Sequence, residues 1–260
     1  MILAAGVGSR MRRDADDELA EGQRIMAALG IKAMIPDARG RPLLDHILSA
    51  LADAGIRDVC LVVGPSHGLI REHYAIVPPH RVTLAFVVQD QPRGTADAVL
   101  AAETWIAGRD FLVLNADNLY PVDAIRALVR LARPGLIAFD RDALIANSNI
   151  EAARVASFAT LMLRDDGTLA EINEKPERDV SGERWISMNL WRFDAGIFAP
   201  CRAVLPSSRG ELELPQAVSL ALHHGLRLEA VRMSHGVLDL SSRADIAEVT
   251  RRLGDVEILL

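Results

Sequence analysis

Two stretches of the chain carry residue types that can do chemistry, and each begins where an apolar run gives way to small or polar residues. The first is Leu3-Ala4-Ala5-Gly6-Val7-Gly8-Ser9-Arg10-Met11. Two glycines let backbone N–H groups approach phosphate oxygens, and the planar guanidinium of Arg10 matches those oxygens. The same residues also read as a tight turn between strand and helix, and on this segment alone both readings stand. The loop is not a dinucleotide fingerprint, because Met11 occupies the third glycine position, and it is not a Walker loop, because no Gly-Lys-Ser/Thr follows. The second stretch is Asn115-Ala116-Asp117-Asn118, directly after the apolar run Phe111 to Leu114. Ligands of open α/β sheets lie outside the carboxyl ends of the strands, which makes Asp117 a candidate for chemistry; capping of the following turn is the other reading. The histidines, His46, His67, His73, His80, His223, His224 and His235, form no ligand pair at helical spacing, and no G-x-S-x-G elbow is present. Cys60 and Cys201 are too far apart for a metal knuckle or redox pair, and Cys60 reads as a small buried hydrophobe.

Those residues need a scaffold, and the apolar pattern supplies an α/β one. Short runs at Ile2 to Ala4, Asp58 to Val63, Val82 to Val88, Phe111 to Leu114 and Leu136 to Phe139 read as strands. Between them Asp14 to Leu29, Pro42 to Ala54, Thr95 to Ala107 and Val122 to Leu131 read as helices, the alternation of a largely parallel sheet. Ala156 to Leu163 and Leu169 to Asn173, joined through Asp165-Asp166-Gly167, read as an antiparallel insertion. Trp185 to Phe193 and Leu226 to Arg232 are further strands, Glu213 to His223 and Arg243 to Leu253 further helices. Trp185 and Trp191 share one strand face and read as core. The expected architecture is a three-layer, Rossmann-like α/β fold with a mixed, mostly parallel sheet and a small antiparallel lobe, in one domain over 1–260. A first strand of only three residues is short for a central one, so an upstream natural start is also an expectation.

Composition narrows the classes. With 260 residues, 50% hydrophobic and 25% charged, the chain resembles an ordinary globular protein rather than a disordered one. Twenty-nine Lys and Arg stand against 35 Asp and Glu, without a basic block, which argues against nucleic-acid binding. No apolar run reaches the ~20 residues of a membrane span, and the first residues lack a secretory pattern, so the expectation is a cytoplasmic protein without a membrane partner.

In the order they occur, six segments resemble the motifs of the sugar-1-phosphate nucleotidyltransferases, the NDP-sugar pyrophosphorylases. They are the loop at 3–11, Lys32-Ala33-Met34-Ile35-Pro36, Gln89 five residues before Gly94-Thr95-Ala96, Asn115-Ala116-Asp117-Asn118, Glu174-Lys175-Pro176 and Leu238-Asp239-Leu240. The resemblance spans nearly the whole chain and implies a Mg²⁺-dependent enzyme whose partners are a nucleoside triphosphate and a sugar 1-phosphate, and it is compatible with a homo-oligomer. Carried over residue by residue, it implies catalytic roles for Arg10, Lys32 and Lys175. Nucleotide binding falls to Leu3, Ala5, Gly6, Gly8, Gln89, Gly94 and Thr95. Glu174, Lys175, Asn189 and Glu211 are implied for the sugar phosphate, and Asp117 and Asp239 for the metal. The amide of Gln89 offers a donor and an acceptor to a base edge, which suits uracil or thymine and leaves guanine open.

The chain departs from the family pattern in places. Ser241 and Ser242 follow Leu240 where the family has Gly-Thr, so a helix N-cap by Ser242 competes with metal binding at Asp239. Leu190 and Trp191 replace small residues after Asn189, and the expectation is a reshaped sugar pocket. Glu211 and Glu213 fit sugar hydroxyls or a solvated helix start. The charged segment Asp14 to Gly30 lengthens the path from Arg10 to Lys32 and is expected to act as a lid. Two other functions remain: a nucleotide-sugar-binding regulatory protein without transfer, and a nicotinamide-dependent oxidoreductase resting on Gly6-Val7-Gly8 alone.

Overall fold

A computed structural model describes residues 1–13, 18–174, 184–254 and 256–260. The first half runs β1 (Ile2–Ala4), α1 (Glu21–Leu29), α2 (Leu43–Asp53), β2 (Asp58–Val63), α3 (Gly68–Ile76), β3 (Thr83–Val88), α4 (Thr95–Ala101), α5 (Glu103–Ile106), β4 (Phe111–Asn115), β5 (Asn118–Leu119) and α6 (Val122–Arg130). It continues through β6 (Gly135–Asp140), α7 (Arg141–Asn147), α8 (Ala152–Val155), β7 (Thr160–Leu163), β8 (Leu169–Asn173) and β9 (Trp185–Phe193). The chain closes with α9 (Phe198–Ala203), α10 (Leu214–His223), β10 (Glu229–Met233), β11 (Leu238–Asp239) and α11 (Ala244–Leu253).

The main sheet has the order β10-β6-β9-β4-β1-β2-β3. β1 pairs in parallel with β2 and β4, β2 with β3, and β6 with β10, while β9 runs antiparallel between β4 and β6. The β7–β8 hairpin joins β9 antiparallel and forms the small lobe. Period-2 burial explains why both faces need helices. In β2, Val59, Leu61 and Val63 face one core with α2, α6 and α11, while Cys60 and Val62 face the other with α4, α9 and α10. Ile137 and Phe139 in β6 split from Leu136 and Ala138 in the same way. Trp191 is fully buried and stacks on Phe193 at 5.7 Å, so that strand pattern reads as core and is core.

Several elements differ from expectation. Ala156 to Leu163 is a strand only from Thr160, because α8 precedes it. Thr95 to Ala107 breaks at Ala102 into α4 and α5. α3, α7 and α9 were not expected; each is short, and α3 carries only Ile70 and Tyr74 as buried side chains, too few for a periodic signal.

The helix expected over Asp14 to Leu29 spans Glu21–Leu29, and Asp14 to Asp17 lie outside the described residues. α1 is docked, contrary to the expectation of a lid. Gln23 donates to the Pro36 carbonyl and to Thr250 Oγ1, both at 3.0 Å, and Ala27 is fully buried. Arg12 Nη2 also donates to the Leu29 carbonyl. These hydrogen bonds tie α1 to the Pro36 turn, to α11 and to the loop at Arg12.

Candidate active site

Four strand ends meet at the carboxyl edge of the sheet. β1 runs into the loop at 5–11, β2 into Gly64 to His67, β3 ends beside Gln89, and β4 ends in Asn115 to Asn118. A cavity of about 280 Å³ lies there, lined by the segment from Leu3 to Gly8 and by Lys32, His67, Gln89, Gly94 and Thr95. It is continuous with a second of about 410 Å³, lined by Arg10, Ser187 to Asn189, Arg209, Glu211 and Asp239. Gly8, Lys32, Asp117 and Glu211 line both.

Gly8 adopts the left-handed φ of +60° and packs directly on the backbone of Gly30, so the end of α1 braces the loop. Gly6 faces open space. Met11 is fully buried, and its carbonyl accepts from Arg243 Nε at 2.9 Å. The position where a dinucleotide loop has glycine is thus an anchor into the core. Arg10 is exposed at the cavity and makes no hydrogen bond or ion pair among the described residues. His67 was expected to be incidental; instead it is buried against the cavity, with Nδ1 accepting from the Gly64 N–H at 3.2 Å. Burial holds its pKa below the usual value, against a bond to the Ala4 backbone. Its ring therefore ties the end of β1 to the end of β2.

Gln89 is buried. Its Nε2 donates to the Gly94 carbonyl at 3.0 Å and to Asp97 Oδ2 at 2.7 Å. Gly94, at φ +121°, lies against the backbone of Leu212, whose N–H donates to the Arg93 carbonyl. Thr95 lines the cavity while its Oγ1 accepts from the Leu214 N–H at 2.8 Å, capping α10. Leu3 and Ala5 also line the cavity.

Lys32, on a 3₁₀ turn at Lys32–Met34, pairs with Asp117 at 2.8 Å. The long path from Arg10 to Lys32 thus returns to the same cleft. Behind that turn, the buried Asp37 accepts from the Arg39 and Arg41 N–H groups and pairs with His46 at 2.9 Å. Burial raises the Asp37 carboxyl, but the hydrogen bonds from Arg41, His46 and Arg39 outweigh it and hold it below the usual range.

Asp117 and Asp239 come together because β5 and β11 pair antiparallel, with Asp239 opposite Asn118 and the Leu240 N–H donating to the Asp117 carbonyl. Asn118 Nδ2 donates to Asp239 Oδ1 at 2.7 Å, and Tyr120 OH bridges Asn118 and the Met188 carbonyl. Asp239 Oδ2 lies 2.9 Å from Arg154 Nη2 but is buried without an aligned donor. Burial, and then the Asp117 carboxylate, push Asp239 up to about 6. Two facing carboxylates with a buried oxygen short of donors suit a hard divalent cation. Among the described residues no third His, Cys, Asp or Glu joins them, so substrate phosphates and water would complete a Mg²⁺ shell. Ser242 does not cap α11 as the competing reading supposed, and the helix has no side-chain cap. Instead the Ser241 and Ser242 N–H groups and the Ser242 hydroxyl donate to Asp245 Oδ2, and Arg154 pairs with the same carboxylate.

The sugar side departs further from expectation. Leu190 and Trp191 point into the two cores, so neither reshapes the pocket. Between Leu136 and Ala138 of β6, β9 carries two extra residues, and Asn189 in that bulge has φ +57°. The bulge turns Asn189 into the lining of the larger cavity. Glu213 is buried and holds Arg209 through contacts of 3.1 and 2.6 Å, while Glu211 is exposed in the lining. Arg209, missed in the sequence, sits in the same cavity and also feels Glu174. Its signal was a cation directly before Gly210-Glu211. Lys175 lies outside the described residues.

A family profile described as nucleotidyl transferase matches residues 22–254. A UTP–glucose-1-phosphate uridylyltransferase of Haloferax volcanii is 28% identical over 97% of this chain and 95% of its own. A glucose-1-phosphate thymidylyltransferase of Streptomyces antibioticus is 30% identical over 99% of this chain and 67% of its own. A solved UDP-glucose pyrophosphorylase with bound UDP-glucose matches at a TM-score of 0.75 and 17% identity, over 97% of both chains, which speaks to the fold.

Proposed function

The chain belongs to the nucleotidyl transferase family and is an enzyme of it, and on that premise we propose that its cleft joins a nucleoside triphosphate to a sugar 1-phosphate. UTP or dTTP is favoured as the donor, with GTP as the third choice, and the relatives that act on glucose 1-phosphate support a hexose 1-phosphate as acceptor. A phosphate oxygen of the sugar attacks the α-phosphorus in line, the bond to the β-phosphate breaks, and pyrophosphate leaves. The barrier is mostly charge repulsion and positioning, so the protein supplies cations and geometry rather than a nucleophile. The observation that carries the reading is one cleft in which Arg10, Lys32 and Arg209 surround the Asp117–Asp239 pair beside the cavity of Gln89.

In this reading the loop from Ala5 to Gly8 offers backbone N–H groups to the triphosphate. Arg10 and Lys32 neutralise it and the departing pyrophosphate. Lys175, with Glu174 before it, and Arg209 hold the sugar phosphate, while Asn189 and Glu211 face the sugar. Asp117 and Asp239 would hold Mg²⁺, which when bound neutralises phosphate charge and orients the reacting oxygens. Retention of Asp117 and Lys175 argues against a binding protein without transfer, although the altered segment after Asp239 argues mildly for one, and the oxidoreductase reading loses its third glycine to the buried Met11.

Pyrophosphate release with Mg²⁺, over a matrix of UTP, dTTP, GTP, CTP and ATP against sugar 1-phosphates, tests the proposal. Release that needs one triphosphate and one sugar phosphate, and falls at least ~100-fold in Asp117→Asn, is expected. Undiminished release in that variant would remove Asp117 from the chemistry.

A further inference from the structure

We propose that Asp97 decides which bases the cleft accepts, by locking the Gln89 amide so that only its carbonyl oxygen faces the ligand. The inference rests on the proposed function, in which the base lies against Gln89.

An amide side chain can turn either end toward a base, and the two ends select opposite partners. Here the choice is made by the protein. The end of Gln89 that faces inward meets two acceptors, the Gly94 carbonyl at 3.0 Å and Asp97 Oδ2 at 2.7 Å. Only the NH₂ end satisfies both. Asp97 cannot turn away, because its other oxygen accepts from Arg93 Nη2 at 2.5 Å and its side chain is nine-tenths buried. Reversing the amide would set Oε1 against two acceptors in a buried place, where an unmade hydrogen bond is most unfavourable. With both N–H groups spent, Oε1 is left without a donor among the described residues, in the lining of the cavity.

A base whose ring nitrogen meets Oε1 must therefore carry a hydrogen there. Uracil and thymine do so through N3, and guanine through N1. Cytosine and adenine present a lone pair at the corresponding ring nitrogen and are repelled. A site built around a fixed polar group discriminates far more strongly than an apolar one, because the wrong ligand leaves that group unpaired. Asp97 touches neither the base nor the reacting phosphorus. It is a positioning residue, and its removal should change base choice rather than the rate of transfer.

The test compares the wild-type protein with Asp97→Asn and Asp97→Ala, reading Kd for UTP, dTTP, GTP, CTP and ATP by calorimetry alongside kcat and KM for pyrophosphate release. In wild type, CTP and ATP should bind at least ~100-fold more weakly than the preferred triphosphate. In the Asn variant, Arg93 retains the side-chain oxygen and the new NH₂ faces Gln89, so that of the two acceptors only the Gly94 carbonyl still opposes the reversed amide. Discrimination against CTP should fall at least ~10-fold, in Kd and KM, with kcat on the preferred nucleotide within about threefold. The Ala variant should lose discrimination without gaining a preference for CTP.

A second measurement needs no variant. The thio analogue of the preferred nucleotide, 4-thio-UTP, 4-thio-dTTP or 6-thio-GTP, keeps the ring N–H and alters the neighbouring oxygen, so it should bind within about fivefold of its parent if Oε1 is the contact. An analogue as poor as CTP would overturn the inference, as would an unchanged UTP-to-CTP ratio in folded variants. Equal weakening of every triphosphate would reduce Asp97 to a structural helix-start acid. Wild-type protein that binds no triphosphate at all would instead overturn the proposed function, and this inference with it.

Discussion

Gly6→Ala and Gly8→Ala insert the same methyl group two residues apart in one loop and should fail in opposite ways. At Gly6 an added Cβ meets nothing within 4 Å, and the backbone is not in the left-handed region. Alanine then restricts the unfolded chain without straining the folded one, a gain of about 0.4–1 kcal/mol. The methyl stands in the cavity where backbone must approach phosphate, however, and affinity for the triphosphate should fall at least ~10-fold, about 1.4 kcal/mol. At Gly8, φ of +60° costs an alanine about 1–2 kcal/mol. Its Cβ would also lie 2.6 Å from Gly30 Cα, on a backbone fixed by the Gly30 N–H to Ala27 carbonyl bond of 3.0 Å. Overpacking adds about 1–3 kcal/mol, for a total near 2–5 kcal/mol. At roughly 2–4 °C per kcal/mol for a domain of this size, Tm should drop by about 4–20 °C. Thermal unfolding and calorimetric titration with UTP or dTTP read both effects. Wild-type affinity in Gly6→Ala would refute the assignment of this loop to phosphate, and an unchanged Tm in Gly8→Ala would refute the Gly8–Gly30 brace.

Other perturbations follow from the same geometry. Lys32→Ala should lower kcat/KM for pyrophosphate release by about 100-fold or more while the protein stays folded, and a loss below tenfold would take Lys32 out of the phosphate chemistry. Excess EDTA should abolish release and Mg²⁺ should restore it; persistence in the chelator would contradict metal binding by Asp117 and Asp239. The Asp37 carboxyl is held below its ordinary value, so its contribution to stability is present above about pH 4 and is lost as pH falls through the folded value. Asp37→Asn should therefore destabilise at pH 7, with the urea-denaturation gap to wild type closing below pH 4. A gap independent of pH would assign the effect to packing.

The local signals in the sequence were those that depend on residue type and short period. Val59 to Val63 alternates between two cores as its β-branched run suggests, and Leu43, Leu44, Ile47, Leu48 and Leu51 bury one helix face. The short helices α3, α7 and α9 escaped because one to three buried side chains set no period, and tertiary contacts rather than propensity hold them. Leu190 and Trp191 misled for a related reason. As side chains in a strand they alternate into the cores, and it is the two-residue bulge at Asn189, invisible without its partner strand β6, that faces the larger cavity.

What the sequence determined by itself was the fold class, the family and the residue types at the strand ends, because backbone period, glycine loops and ordered motifs are properties of neighbouring residues. Only the tertiary structure decided how those residues act on one another. β5 and β11 bring Asp117 and Asp239 face to face across more than a hundred residues, and Arg154 and Asn118 settle how Asp239 is held. Asp97 and Gly94 decide which end of Gln89 faces the cavity. Charge repulsion, burial and hydrogen-bond polarity depend on distances through space, and a linear sequence does not contain those distances.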